Sequence, residues 1–136
     1  MRFLLDTATF SNNALMPEVL PRRIRDLLDN DEIKGLCGVS LIELAIHHRL
    51  GRLRLAGSMV EFFDSALGSD IELLDITPQI AAVTNDFPAR FPGDPFDRTI
   101  AATARVLNLT LITPDSAIRD SEICRVEFYP FRPSRT

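Results

Sequence analysis

Lysine is almost missing from this chain: Lys34 is the only one, and every other basic residue of the fifteen is arginine. Arginine makes planar, bidentate contacts with phosphate, so local anion-binding patches stay open to the chain. A uniformly basic face does not, because the formal net charge is -4. That balance argues against a protein that coats duplex DNA by neutralising phosphates. It leaves room for a nuclease whose acidic site meets phosphate through a metal ion. Cysteine is scarce too. Cys37 and Cys124 stand alone, with neither metal-ligand spacing nor a disulfide framework. Both are expected to be small buried side chains. No apolar run is long enough to cross a membrane. The opening Met1-Arg2-Phe3-Leu4-Leu5 is cut short by Asp6, so it is not expected to act as a signal peptide. The expectation is a cytoplasmic protein with no membrane partner. The familiar glycine-rich phosphate loops, the G-x-S-x-G elbow and the H-E-x-x-H zinc motif are all missing. His47 and His48 are adjacent, so they cannot share one helix face as a metal pair would, and they are read as surface or packing residues.

A hydrophobic fraction of 46% against 25% charged residues is enough for a packed core. One domain over residues 1–130 is expected, with 131–136 as a frayed, proline-rich tail. Short apolar runs predict strands at 3–5, 36–39, 72–76, 109–113 and 126–129. Helices are predicted over 17–28, with Pro21 disturbing the start, over 40–50, over 58–67, briefly from Thr77-Pro78, and from Asp94-Pro95 to about 107. Strands alternating with helices predict an α/β fold, a three-layer α/β/α sandwich around a mostly parallel sheet of four or five strands. The strands read as continuous apolar runs, as they should when helices cover both faces. Ligands of such sheets bind beyond the carboxyl ends of the strands.

Four acids are directed to that edge. Asp6 follows the first strand, Glu43 lies one turn into the helix after the second, and Asp115 follows the fourth. Asp97 sits in the first turn of a helix that runs back against a strand, so it begins near the same edge. Each acid also has a local explanation. Ser40-Leu41-Ile42-Glu43 matches a capping box. Asp94 before Pro95 is a good N-cap, and Asp97 is then an acid favoured by the helix dipole. Asp115 suits a first turn, and Asp6 a turn. Two features favour chemistry. Asp97 shares its helix face with Ile100, Ala101 and Ala104, the apolar stripe. Carboxylates gathered at one edge repel one another unless a cation sits among them. Carboxylate and water oxygens suit Mg²⁺ or Mn²⁺.

At these residues the chain resembles the PIN-domain ribonucleases, specifically the VapC-like toxins. The matching pieces are Phe3-Leu4-Leu5-Asp6-Thr7, Val39-Ser40-Leu41-Ile42-Glu43-Leu44-Ala45, Gly51-Arg52-Leu53-Arg54-Leu55, Ile76-Thr77-Pro78 and Leu111-Ile112-Thr113-Pro114-Asp115. The most specific is Gly93-Asp94-Pro95-Phe96-Asp97-Arg98-Thr99-Ile100-Ala101-Ala102-Thr103-Ala104. The resemblance implies an endoribonuclease that uses Mg²⁺, with Mn²⁺ able to substitute. Asp6, Glu43 and Asp97 match its core metal-site acids and Asp115 its fourth, all four catalytic, with Glu43 and Asp115 reaching the metal directly or through water. Thr7, Ser40 and Thr113 match supporting hydroxyls, Asp94 an extra acid, and Arg98 a basic residue beside the site that contacts substrate phosphate. A homodimer, a cognate antitoxin and an RNA substrate are implied as partners. Ala8, Ile42 and Pro114 depart from the usual histidine, aromatic and basic residues at their positions. The apolar residues of 59–63 suit either a groove or dimer surface or, for Val60 and Phe63, plain core spacing.

Two other readings stand beside the toxin. One is a PIN nuclease of RNA maturation or decay. The other, from a different class, is a non-catalytic binding module or a receiver-like phosphoacceptor. A receiver pairs its acidic pocket with a lysine late in a strand, whereas Lys34 precedes the second strand.

Overall fold

The strand β1 (Phe3–Leu5) is completely buried and lies at the centre of the sheet. The structure, a computed structural model, describes residues 1–91 and 93–130. The tail 131–136, expected to fray, lies outside the described residues. After β1 come α1 (Thr7–Leu15), a short 3-10 turn (Pro17–Val19), α2 (Arg22–Leu28), β2 (Lys34–Cys37) and α3 (Val39–Arg49). Then follow α4 (Met59–Leu67), β3 (Ile71–Leu74), α5 (Pro78–Val83), a second 3-10 turn (Thr84–Asp86) and α6 (Pro95–Val106). The chain closes with β4 (Thr110–Thr113), α7 (Ser116–Ser121) and β5 (Val126–Phe128).

The sheet has five strands in the order β3-β2-β1-β4-β5, and every pair is parallel. Side chains alternate across it, as the pleat requires. Leu4, Cys37 and Leu111 join one core with Ile80, Phe87, Phe91 and the Ile100–Ala104 stripe of α6. Phe3, Leu5, Leu36 and Ile112 join the other with Phe10, Ile24, Leu28, Leu44 and Tyr129. These two cores are the two interfaces of the α/β/α sandwich. Met59, Phe62 and Phe63 of α4 pack against the second core, while Val60 is 67% exposed. Core spacing therefore describes Phe63 but not Val60. Cys37 is buried and Cys124 partly so, both as free thiols.

Several boundaries moved. The strand expected at 36–39 runs two residues earlier, because Lys34 is pulled under the sheet edge. Its Nζ donates to the carbonyls of Leu28 and Asn30, each at 2.8 Å, and lies 3.6 Å from Asp70. Pro21 splits the predicted helix 17–28 into a 3-10 turn and α2, since it ends one hydrogen-bond ladder and opens the next. Two helices lacked a prediction, α1 and α7. Threonine, serine and asparagine fill α1, and all are poor helix formers. It is held by the Asp6 cap and by burial of Thr9, Phe10 and Asn12. Among the described residues no helix is long and apolar enough to cross a membrane.

Candidate active site

Each acid is delivered by the end of a regular element. The strand β1 stops at Leu5, and Asp6 turns the chain into α1 as its N-cap, with Oδ1 accepting from the Thr9 amide at 2.8 Å. The Thr113 hydroxyl, at the end of the neighbouring β4, donates to Oδ2 of the same carboxylate. Asp115 caps α7 by accepting from the amides of Ala117 and Ile118, and its own amide donates to Thr113 Oγ1 at 3.0 Å. Asp94 caps α6 by accepting from Phe96, which puts Asp97 one turn in, half-buried beside Ile100. Glu43 comes from the second turn of α3. Asp6, Thr7, Glu43, Asp97 and Asp115 line a single pocket at the carboxyl edge of the sheet.

Capping and convergence therefore coexist at Asp6 and Asp115. The capping box at Ser40 does not form. The helix begins one residue earlier, behind Gly38, without a side-chain cap. Ser40 is instead wholly buried, and its hydroxyl accepts from Thr7 Oγ1 at 2.8 Å. Glu43 is thereby released from any reciprocal bond to its helix start. Its Oε1 is buried without a hydrogen-bond partner, and its Oε2 lies 4.0 Å from His47 Nε2.

The electrostatics are those of crowded carboxylates. Burial pushes the Asp6 carboxyl up to about 6, against the hydrogen bonds that favour its charge, and Glu43 adds to the rise. Burial raises Asp97 to about 7, helped by the negative charges of Asp94, Asp115, Glu43 and Asp6. The nearby Tyr129 phenol is pushed up to about 12, mainly by burial, so it stays protonated. Among the described residues no three His, Cys, Asp or Glu side chains are already drawn to finished metal-ligand spacing. Uncompensated carboxylates repel, which holds such a set open. An orphaned buried carboxylate oxygen beside two acids that resist ionisation fits a hard divalent cation, whose charge would reverse both penalties.

Asp94 is exposed and stays outside the pocket lining, where it acts as a cap and as a neighbouring charge. Arg98 is not among the residues that line the pocket. Its guanidinium donates to the Thr84 carbonyl at 2.8 Å and lies 6.0 and 5.7 Å from the ring centres of Phe87 and Phe91. Two other residues line the pocket, His47, which the sequence suggested was a surface or packing residue, and Arg52, to which the sequence assigned no role. His47 follows Glu43 by four residues, so the helix stacks them on one face. Arg52 is brought back by the end of α3. Gly51 takes a φ of 78°, its amide bonds to His48, and the Arg52 amide bonds to the His47 carbonyl at 2.8 Å. This is a Schellman ending, and it needs the left-handed residue that glycine supplies. A glycine after a helical pattern was the available signal.

Fold and site together define an α/β domain with an acidic, cation-seeking pocket at the carboxyl edge of a parallel sheet. Residues 3–123 match the family model described as PIN domain. Over 103 residues the chain is 30% identical to Ribonuclease VapC22 of Mycobacterium tuberculosis, which covers 76% of this chain and 78% of the relative. The VapBC2 structure from Rickettsia felis, bound to a DNA fragment from its promoter, superposes with a TM-score of 0.72 at 17% identity, over 95% of this chain and 99% of that one. DNA-bound VapBC from Salmonella typhimurium gives 0.71 at 24% identity, over 94% and 98%. The chain belongs to the PIN-domain family, as a VapC-like member.

Proposed function

We propose that this chain is a VapC-type endoribonuclease, the toxin of a bacterial toxin–antitoxin pair, formed by one cytoplasmic nuclease domain over residues 1–130. One observation carries the reading: Asp6, Glu43, Asp97 and Asp115, from four separate elements, line one pocket of a chain that is 30% identical to a ribonuclease. Asp6 and Asp97 would hold a divalent cation, Mg²⁺ with Mn²⁺ as substitute, while Glu43 and Asp115 contact it directly or through water. When bound, such an ion polarises a phosphoryl oxygen and lowers the pKa of water.

The protein's own part is placement. Thr113 and the Thr9 amide hold the two oxygens of Asp6. The Thr7–Ser40 bond ties α1 to the helix that carries Glu43. Arg52 brings positive charge to the wall of an otherwise acidic pocket, which the His47 imidazole also lines. An RNA strand laid across that wall would find Arg52 for a phosphate and, on the apolar side, Met16, Leu15 and Leu53 for a base. Arg98, the phosphate contact implied by the resemblance, supports the site from its place on Thr84 and the two phenylalanines. The solved neighbours are toxin–antitoxin assemblies, which supports a cognate antitoxin as partner here. A homodimer is proposed with it.

The test is cleavage of a cellular RNA pool by purified, antitoxin-free protein, with Mg²⁺, with Mn²⁺ and with chelator, beside Asp97→Asn. Metal-dependent cleavage that disappears in the variant is expected. Equal cleavage by the variant, or cleavage that ignores the chelator, overturns the assigned site.

A further inference from the structure

Tyr129 follows β5 and is completely buried, in the core layer that holds Leu5, Phe10 and Ile112. It does not line the acidic pocket. It also lies beyond residues 3–123, the span of the family match. Its hydroxyl nevertheless ends 2.9 Å from Thr9 Oγ1. Proton counting sets the direction of that bond. The Thr9 hydroxyl has one proton and donates it to the Ile112 carbonyl at 2.9 Å, which can only accept. Tyr129 is therefore the donor and Thr9 Oγ1 the acceptor.

Thr9 is the residue whose amide grips Asp6 Oδ1 at 2.8 Å. Its side chain is thus pinned by Tyr129 and Ile112 while its main chain aims the acid. The other grip on Asp6 comes from Thr113, and the Tyr129 amide donates to the Thr113 carbonyl at 3.3 Å. Tyr129 touches both residues that clamp the carboxylate and touches neither of its oxygens. We infer that Tyr129 is a positioning residue of the active site, which fixes the direction of the Asp6 carboxylate through Thr9. The inference rests on reading this pocket as the nuclease site. Outer partners of this kind act by orienting a metal-binding group, and losing one lowers metal affinity or activity by about 10–100-fold.

Tyr129→Phe in the full chain tests it, because the ring is kept and only the donor is lost. In metal-free protein, amide exchange followed by NMR should show the Thr9 N–H exchanging several-fold faster. Mn²⁺ affinity, read from the free-ion EPR signal, should fall about tenfold. Cleavage of the RNA pool should lose kcat with KM unchanged. Thr9→Val should reproduce the loss, the double variant should be no worse than either single one, and Thr9→Ser should restore it. Ile123→Val, in the opposite core, supplies a comparable packing defect and should move none of these readings. Wild-type Thr9 exchange and wild-type Mn²⁺ affinity in Tyr129→Phe, whatever its melting temperature, overturn the inference. Wild-type protein that neither binds Mn²⁺ nor cleaves RNA overturns the nuclease reading instead, and the Thr9 exchange still decides whether Tyr129 holds the Asp6 grip.

Discussion

The Thr7 hydroxyl donates to the Ser40 hydroxyl at 2.8 Å, and both side chains are buried. This bond joins two residues 33 positions apart and ties the helix capped by Asp6 to the helix that carries Glu43. Removing the Ser40 oxygen strands a buried donor. Ser40→Ala should therefore cost about 1–3 kcal/mol. Thr7→Val together with Ser40→Ala should cost less than the sum of the two, because the pair is then replaced as a unit. Urea denaturation of the four proteins in the cycle measures this, and strict additivity would show that the bond has no energetic role.

The raised acids make stability depend on pH in a defined direction. Asp6 and Asp97 bind their protons more tightly in the folded chain, with values of about 6 and about 7 against an ordinary 3.8. A raised carboxyl contributes stability below its unfolded value and loses it as pH climbs through the folded one. Chelator-treated protein should thus melt at falling temperature between about pH 4 and pH 7. Divalent cation should stabilise more at pH 8 than at pH 5, since it competes with those protons. Asp97→Asn should flatten both trends. Melting curves with EDTA or Mn²⁺ across this range provide the check.

Arg52 is expected to act on substrate binding. Arg52→Ala should raise KM for single-stranded RNA and leave kcat nearly intact. If Arg52 meets one phosphate, the slope of log affinity against log salt should shrink by about 0.7. Gly51→Ala should show part of the same KM defect, because a φ of 78° strains any side chain and the Schellman ending delivers Arg52. Binding titrations at several salt concentrations decide it. An unchanged slope would remove Arg52 from the phosphate path.

Lys34 offers a contrast between structure and chemistry. Its ammonium is buried under the Leu28 and Asn30 carbonyls, at the amino end of β2 and away from the acidic pocket. A receiver-like phosphoacceptor would need that lysine among the acids. Lys34→Met should cost about 2–3 kcal/mol, the range for hydrogen bonds to a charged group. Asp70→Asn should cost under about 1 kcal/mol, because the carboxylate is half-exposed and 3.6 Å away. Both variants should cleave RNA normally per folded molecule. A selective loss of kcat in Lys34→Met would contradict this division.

What could be read from the sequence was what neighbouring residues decide among themselves. The apolar run before Asp6, the Asp94-Pro95 cap and the stripe of Ile100, Ala101 and Ala104 are local patterns, and periodicity exposes them. They were sufficient for the parallel α/β class and for sending four acids to one edge. Contacts between distant segments were beyond reach. The helix α1 forms from poor helix formers because Phe10 is buried and Asp6 caps it, and propensity carries neither fact. Ser40 looked like a cap until Thr7 claimed its hydroxyl. Arg98 sits in the most specific motif of the chain, yet its contacts with Thr84, Phe87 and Phe91 come from another segment. Tyr129 reaches Thr9 and Thr113 only because β5 lies beside β4 in the sheet. Backbone preferences and side-chain periodicity are encoded within a few residues, whereas the aim of a carboxylate depends on which hydroxyls folding brings to it.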